Sequence, residues 1–316
     1  MQIRFWGVRG SCPTPLKPAE VTGKISSILQ RITPEDIASP RAKERFIAQL
    51  PLHLKSTTGG NTACVEVRLE DNTLIILDCG SGLRSLYDNL VSDGDQIRDY
   101  HIFLTHFHYD HLVGMPFFTP LYDKNNRVHF YSPYGKMEKI VREYFRKPYH
   151  PVPFDAFQAQ IEFNVIGRES LWLGPAKIDW VKRNHPDGSV AYRIEEGKGV
   201  FIFSTDTELE EKNFKKTRKN ISFFQDADVL VMDGQYDLTE AIDKMTWGHS
   251  SYSMAVEFAQ EFDIKKLMIY HHEPMNDDRQ IDKYLKVART YTEMLNKKLG
   301  KKLILDFALE EGRIEL

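Results

Sequence analysis

The sequence predicts an α/β sandwich, in which two β-sheets lie face to face with helices packed outside them. Strand-like and helix-like patterns alternate along the 316 residues without a long linker. One pattern occurs twice: a hairpin whose second strand ends in an Asp at a loop, followed by a further apolar strand. The third observation is positional. Side chains able to do chemistry sit where apolar runs end, as loops do when they gather at one edge of a sheet.

Taken in order, residues 3–8 open the chain as a strand. From about residue 20 to 54, Val21, Ile25, Ile28, Leu29 and Ile32 have helical spacing. Thr33-Pro34-Glu35-Asp36 reads as a helix start, and a second helix is expected over 41–50, ended by Pro51. The first hairpin comprises 64–69 and 74–78 around Glu70-Asp71-Asn72, and the strand at 102–104 follows it. The second comprises 190–194 and 200–206 around Glu195-Glu196-Gly197, followed by a strand at 229–232. Helices are expected over 251–262 and 282–299, with a final strand at 303–309.

Composition narrows the class. Lys plus Arg total 42 against 45 Asp plus Glu, a net charge of −3, so there is no global drive toward nucleic acid or a membrane. No apolar run is long enough to cross a bilayer. Three cysteines (Cys12, Cys64 and Cys79) are too few and odd in number for a disulfide framework, which suits a reducing compartment. Met1 to Trp6 reads as a strand and not as a signal segment, so a cytoplasmic location is the expectation.

The most informative segment is Thr105-His106-Phe107-His108-Tyr109-Asp110-His111, directly after Ile102-Phe103-Leu104. A strand ending near Thr105 projects His106 and His108 to one side, and Asp110 and His111 follow in the turn. With eleven histidines in the whole chain, three of them within six residues beside a carboxylate point to metal binding. Four such ligands suit two ions, with His106 and His108 on one and Asp110 and His111 on the other. Further ligand types end other strand-like runs: His185 after Ile178 to Val181, Asp206 after Val200 to Phe203, and His271-His272 after Leu267 to Tyr270. His271, nearer the strand end, is the chosen ligand of that pair.

His-x-His-x-Asp-His, followed by a separate His, a separate Asp and a late His, resembles the metallo-β-lactamase fold superfamily. The likeness runs through most of the chain. Leu77-Asp78-Cys79-Gly80-Ser81-Gly82 resembles the family's first loop, and Trp247-Gly248-His249-Ser250 an element of its ribonuclease Z-like branch. Gly59-Gly60-Asn61-Thr62, Ser204-Thr205-Asp206-Thr207-Glu208 and His271-His272-Glu273-Pro274 resemble phosphodiesterase-like hydrolases of that branch. The resemblance implies a four-layer αββα sandwich as one domain over 1–316. It implies that His106, His108 and His185 bind one metal, Asp110, His111 and His271 the other, with Asp206 bridging and Asp78 supporting from behind. An Asp bridge suits the phosphodiesterases of the superfamily better than its lactamases. Two departures stand out. Residues 13–55 form a long insertion, helical at about 17–54, where compact members have a short loop. The long Gly/Pro-rich arm with which ribonuclease Z enzymes grip tRNA is not visible.

The chemistry follows from the ligands. Two divalent ions about 3.5–4 Å apart share a water, lower its pKa and aim the resulting hydroxide at an electrophile. Imidazoles with carboxylates favour Zn²⁺ or Mn²⁺. His249, ahead of a helix, is the candidate general acid, with Glu208 or Asp233 to orient it. Asp110 is counted with the catalytic residues as well as the ligands. The expected activity is phosphodiester hydrolysis on a small substrate such as a cyclic nucleotide or cyclic phosphate. Alternatives are an RNA-processing nuclease of ribonuclease Z type or a thioester or lactam hydrolase, and a homodimer is allowed. Residues 143–154 mix aromatics, cations and prolines, as a pocket wall or a braced crossing over the core would. Lys212 to Lys219 reads as a solvated helix face.

Overall fold

Alternation along a strand sends successive side chains to opposite faces, and here both faces of both sheets are apolar. The computed structural model describes residues 1–316 and stacks four layers around three cores. The first sheet carries β1 (Gln2–Gly7), β2 (Cys64–Arg68), β3 (Leu74–Leu77), β4 (Asp99–Phe103), β5 (Arg127–Ser132) and β6 (Gln160–Val165). The second carries β7 (Leu171–Leu173), β8 (Ala176–Arg183), β9 (Ser189–Glu196), β10 (Gly199–Ser204), β11 (Val229–Asp233), β12 (Lys266–Tyr270) and β13 (Ile304–Phe307). The last strand, β14 (Arg313–Glu315), returns to pair antiparallel with β1. In each sheet an antiparallel hairpin, β2–β3 or β9–β10, leads into parallel strands. The repeated sequence pattern is thus a repeat of topology.

Between the sheets, Phe5, Val65, Ile75 and Phe103 meet Tyr192, Phe201, Val231 and Tyr270. The helices are α1 (Pro18–Leu29), α2 (Pro40–Gln49), α3 (Leu52–Lys55), α4 (Gly82–Ser92), α5 (Met137–Tyr144), α6 (Arg218–Phe224), α7 (Leu238–Asp243), α8 (Tyr252–Glu261) and α9 (Asp278–Leu299). Leu83 and Leu86 of α4 and Val141 of α5 cover the outer face of the first sheet at Ile76, Ile102 and Phe130. Phe224 of α6, Phe258 of α8 and Leu285 of α9 cover the second at Ile202, Leu230 and Ile269. No helix is long and apolar enough to cross a membrane.

The region from 18 to 55 differs in detail from its sequence reading. Val21, Ile25 and Leu29 have the expected helical spacing, but they face solvent. The helix is held by polar contacts instead: Lys24 Nζ reaches Asp278 at the start of α9, and His53 of α3 bonds Asp282 at 2.8 Å. At Thr33 the Asp36 side chain accepts from the Thr33 amide, yet only a four-residue 3₁₀ turn forms, Pro34–Ile37. Ser39, pushed to an extended backbone by Pro40, then caps α2 through the Ala42 amide. Pro51 does end α2, and its fixed φ also opens the short α3.

The basic run at 212–219 is solvated but is not one helix face. Glu211–Phe214 is a 3₁₀ turn, and α6 begins only at Arg218, where Thr217 caps it through the Asn220 amide. Residues 143–154 brace a crossing: Phe145 is buried and its ring lies 5.1 Å from His150 and 4.9 Å from Phe157. One end of that crossing reaches the metal-ligand motif, with Tyr144 and Tyr109 ring centroids 6.3 Å apart.

Candidate metal centre

Ligands in open parallel sheets bind beyond the carboxyl ends of the strands, and every residue of this site lies there. Asp78 follows β3, His106 follows β4, Asp206 follows β10, Asp233 ends β11 and His271 follows β12. His185 follows β8, which runs in the same direction as β10 because both are antiparallel to β9. Three of these residues, Asp78 (φ 62°), Asp206 (φ 26°) and His271 (φ 61°), are held in the left-handed region that non-glycine residues avoid. Such strain persists where the surroundings fix the chain, and it gathers at functional sites.

The seven residues read as ligands come together in two groups that share Asp206. His106, His108, His185 and Asp206 form one; Asp110, His111, His271 and Asp206 form the other. The two oxygens of Asp206 divide between them. Its Oδ2 lies 3.6 Å from Nε2 of both His106 and His185, while its Oδ1 lies 3.2 Å from His111 Nε2 and 3.3 Å from His271 Nε2. Asp110 Oδ2 faces the second group at 3.1 Å from His271 Nε2 and also accepts the Ser11 amide at 2.8 Å.

Four of the five imidazoles are aimed by a bond to the other nitrogen, as metal-binding histidines are, while His108 Nδ1 lies 3.1 Å from His185 Nε2 inside the cluster. Nδ1 of His111 meets Asp78, whose carboxylate also accepts the Thr105 amide and hydroxyl. Nδ1 of His106 meets the Thr105 hydroxyl, Nδ1 of His185 the Gly248 carbonyl, and Nδ1 of His271 the Gln235 amide oxygen. Gly248 has φ +89°, and a Cβ there would lie 2.3 Å from His185 Nδ1, so only glycine gives this close carbonyl. A Cβ on Gly10 would strike the His271 ring at 2.5 Å. His272 turns away and bonds the Ala308 carbonyl at 2.8 Å, consistent with the choice of His271.

Burial and charge make the pocket a cation trap. His106 is driven well below its ordinary pKa by burial and by His111, which leaves a neutral, ligand-ready ring. Burial also opposes charge on His111, but Asp206, Asp110 and Asp78 outweigh it and hold the proton well above the ordinary histidine range. Nε2 of His106 and of His111 is buried with no hydrogen-bond partner, although buried polar atoms are nearly always paired. Unpartnered imidazole nitrogens facing a shared carboxylate fit divalent metal ions.

Next to this cluster lies His249. Its ring stacks on His271 at 4.9 Å between centroids and its Nδ1 bonds Asp233 Oδ2 at 2.7 Å. Burial disfavours its charged form, yet Asp233, joined by Asp206 and Asp110, more than compensates and raises the pKa to about 9. Of the two orienting carboxylates offered by the sequence, Asp233 is the partner. Glu208 instead accepts the Thr246 and Gly248 amides at 3.0 Å each and shapes the turn before His249. Gln235 and the Ser11 amide escaped the sequence reading. The apolar run at 229–232 ends beside Asp233, two residues before Gln235, a placement that could have flagged Gln235.

The family profile described as the β-lactamase superfamily domain matches residues 73–272, more than half of the chain. The chain belongs to that superfamily. Within it the sequence lies on the ribonuclease Z-like branch and is a metal-dependent hydrolase. A ribonuclease Z from Thermoplasma acidophilum is 24% identical over 257 residues, covering 67% of this chain and 80% of its own. Among solved superfamily folds, YhfI from Bacillus subtilis superposes with a TM-score of 0.62 at 15% identity, covering 100% of this chain and 98% of its own. A diphosphatase from the PhnP family gives 0.58 at 16%, covering 100% and 97%. These two likenesses establish the four-layer architecture.

Proposed function

We propose that this hydrolase is a binuclear phosphodiesterase acting on a small substrate, such as a cyclic nucleotide or cyclic phosphate, with residues 1–316 as one catalytic unit. The observation that carries the reading is the Asp233–His249 pair beside a two-group cluster. A phosphodiester releases a strongly basic alkoxide, which needs a proton donor within reach. His106, His108 and His185 would hold one ion, Asp110, His111 and His271 a second, with Asp206 between them; the donor set suits zinc or manganese. Bound there, the ions would acidify a water and neutralise charge growing on the phosphoryl oxygens.

The protein's own groups supply the rest. Asp233 favours the protonated form of His249 and leaves its Nε2 free, because it holds Nδ1. As water attacks phosphorus and the bond to the leaving oxygen breaks, the Nε2 proton passes to that oxygen. Asp233 fixes the tautomer and stabilises the imidazolium. Exposed aromatic rings flank the ligands in sequence, Tyr109 between His108 and Asp110 and Trp247 two residues before His249. Each offers a base a stacking surface, worth about 1–3 kcal/mol.

The ribonuclease Z relatives favour one second reading, cleavage of a structured RNA. Zinc- and manganese-loaded protein assayed on bis(p-nitrophenyl) phosphate, cyclic nucleotides, a precursor tRNA, a lactam and a thioester separates the two. Cyclic nucleotides or cyclic phosphates turned over with little salt dependence are the expected result. Efficient tRNA cleavage whose KM rises steeply with salt, as release of counterions from a polyanion requires, would establish the second reading instead.

A further inference from the structure

A second constellation of metal-ligand type lies outside the catalytic cluster, on the first sheet. In the parallel register His101 of β4 is the direct partner of His129 of β5, which is the direct partner of Glu162 of β6. Asp99, two residues before His101, projects from the same face. Asp99, His101 and His129 offer one donor atom each, all within 4.8 Å of one another. The two imidazoles stack with centroids 5.0 Å apart and planes 13° from parallel.

Each ring is again oriented through Nδ1. His129 Nδ1 lies 3.0 Å from Glu162 Oε2, and a carboxylate there requires the proton on Nδ1. His101 Nδ1 lies 3.1 Å from the Tyr131 hydroxyl. That leaves His129 Nε2 facing Asp99 Oδ1 at 2.8 Å, with His101 Nε2 at 3.9 Å from the same oxygen. Lone pair against lone pair at 2.8 Å is repulsive unless a proton or a metal ion lies between them. Donor atoms around a tetrahedral zinc ion stand about 3.4 Å apart, and the two observed distances straddle that value. Asp99 Oδ2 is taken by Arg127 Nη2 at 3.2 Å, so Oδ1 is the oxygen turned toward the rings. Both His side chains are 13% exposed and Asp99 is 40% exposed, while its Oδ1 is itself buried with no hydrogen-bond partner.

We propose that Asp99, His101 and His129 form a further binding site for a divalent transition-metal ion of zinc type, with Tyr131 and Glu162 orienting the two imidazoles. The site would join β4 to β5. Burial lowers the proton affinity of His101, as a neutral ligand requires. The competing arrangement is a proton in the metal's place, with His129 as an imidazolium clamped between Asp99 and Glu162.

The test is a difference in stoichiometry. Untagged protein with its catalytic centre loaded is dialysed and titrated with Zn²⁺ against a chromophoric chelator, alongside His129→Ala and His101→Gln. Wild type is expected to take up one equivalent more than either variant, while hydrolysis by the loaded enzyme is unchanged in all three. Co²⁺ in place of Zn²⁺ should give the wild type an absorption band that both variants lack. His101→Gln keeps a hydrogen-bonding side chain next to Tyr131 and guards against misfolding of the alanine variant. Equal uptake by wild type and His101→Gln would overturn the proposal, and lower thermal stability in the variants with no difference in uptake would identify the imidazolium clamp.

Discussion

Asp206 is the residue on which both donor groups depend, since each of its oxygens faces a different pair of imidazoles. Asp206→Ala is therefore expected to cost both catalytic ions, about two equivalents relative to wild type by elemental analysis, whereas loss of a single equivalent would assign Asp206 to one ion only. His249 makes the opposite prediction. It lies beside the cluster but bonds Asp233, so His249→Ala should keep its metal content and lose about 10²–10⁴-fold on substrates with poor leaving groups. On p-nitrophenyl esters, whose leaving group departs without a proton, the loss should be small; equal losses on both substrates would remove His249 from proton delivery. At this scale the sequence was highly legible, because ligand types crowded into one heptad and at strand ends have few other uses. What it left open was orientation. Whether Glu208 or Asp233 meets His249 is decided by a turn closed through two amides from distant residues, which no local pattern records.

At the scale of elements, strand ends place the chemistry and polar contacts place the helices. Strands with both faces buried, such as β10 and β11, were read from the sequence because their apolar runs are continuous, whereas β5 was passed over although most of it is buried. Strand β6 escaped notice because it alternates between exposed and half-buried positions, and β7 and β14 because each has three residues. The attachment of α1 was equally hidden, since its apolar residues face solvent and one carboxylate does the work. Asp278 accepts the Thr58 amide at 2.8 Å and the Thr57 hydroxyl at 3.2 Å, and it meets Lys24, with Arg9 3.9 Å away. Burial works against its charge, but Lys24 and the Thr58 amide outweigh burial and hold the carboxyl below its ordinary range. A carboxyl with a depressed folded pKa adds stability above its unfolded value of about 3.9, and that stability is lost as pH falls through the folded value. Asp278→Ala is expected to cost about 3 kcal/mol at neutral pH by denaturant unfolding, the usual cost of orphaning a buried ion pair. Its stability deficit should shrink in acid below pH 4; a deficit independent of pH would show that packing and not charge holds the junction.

For the whole molecule, the question is what residues 17–54 do beside a fold that holds its site without them. None of the proposed ligands lies in the segment, and the helices attach to α9 and to the 56–58 stretch, chiefly through Lys24, His53 and the buried Ala42, Leu50 and Leu54. Where the segment begins, Thr14 to Lys17 and Glu20 line a cavity of about 940 Å³ whose opposite wall runs from Pro274 to Asp278. In sequence that wall starts three residues after His271 of the second donor group, although no proposed ligand itself lines the cavity. The chain from 9 to 12 approaches the same group from the other side, through the Ser11 amide on Asp110. If a substrate reaches this group from the cavity it meets the segment first, and the expected role of the segment is then substrate selection and not metal binding. Replacing residues 17–54 with a short linker is expected to leave both catalytic equivalents bound. It should lower thermal stability, because Asp278 loses Lys24 and Asp282 loses His53, and change KM and the ranking of substrates more than kcat on bis(p-nitrophenyl) phosphate. Loss of metal would make the segment part of the scaffold, and an unchanged substrate ranking with metal retained would remove it from selection.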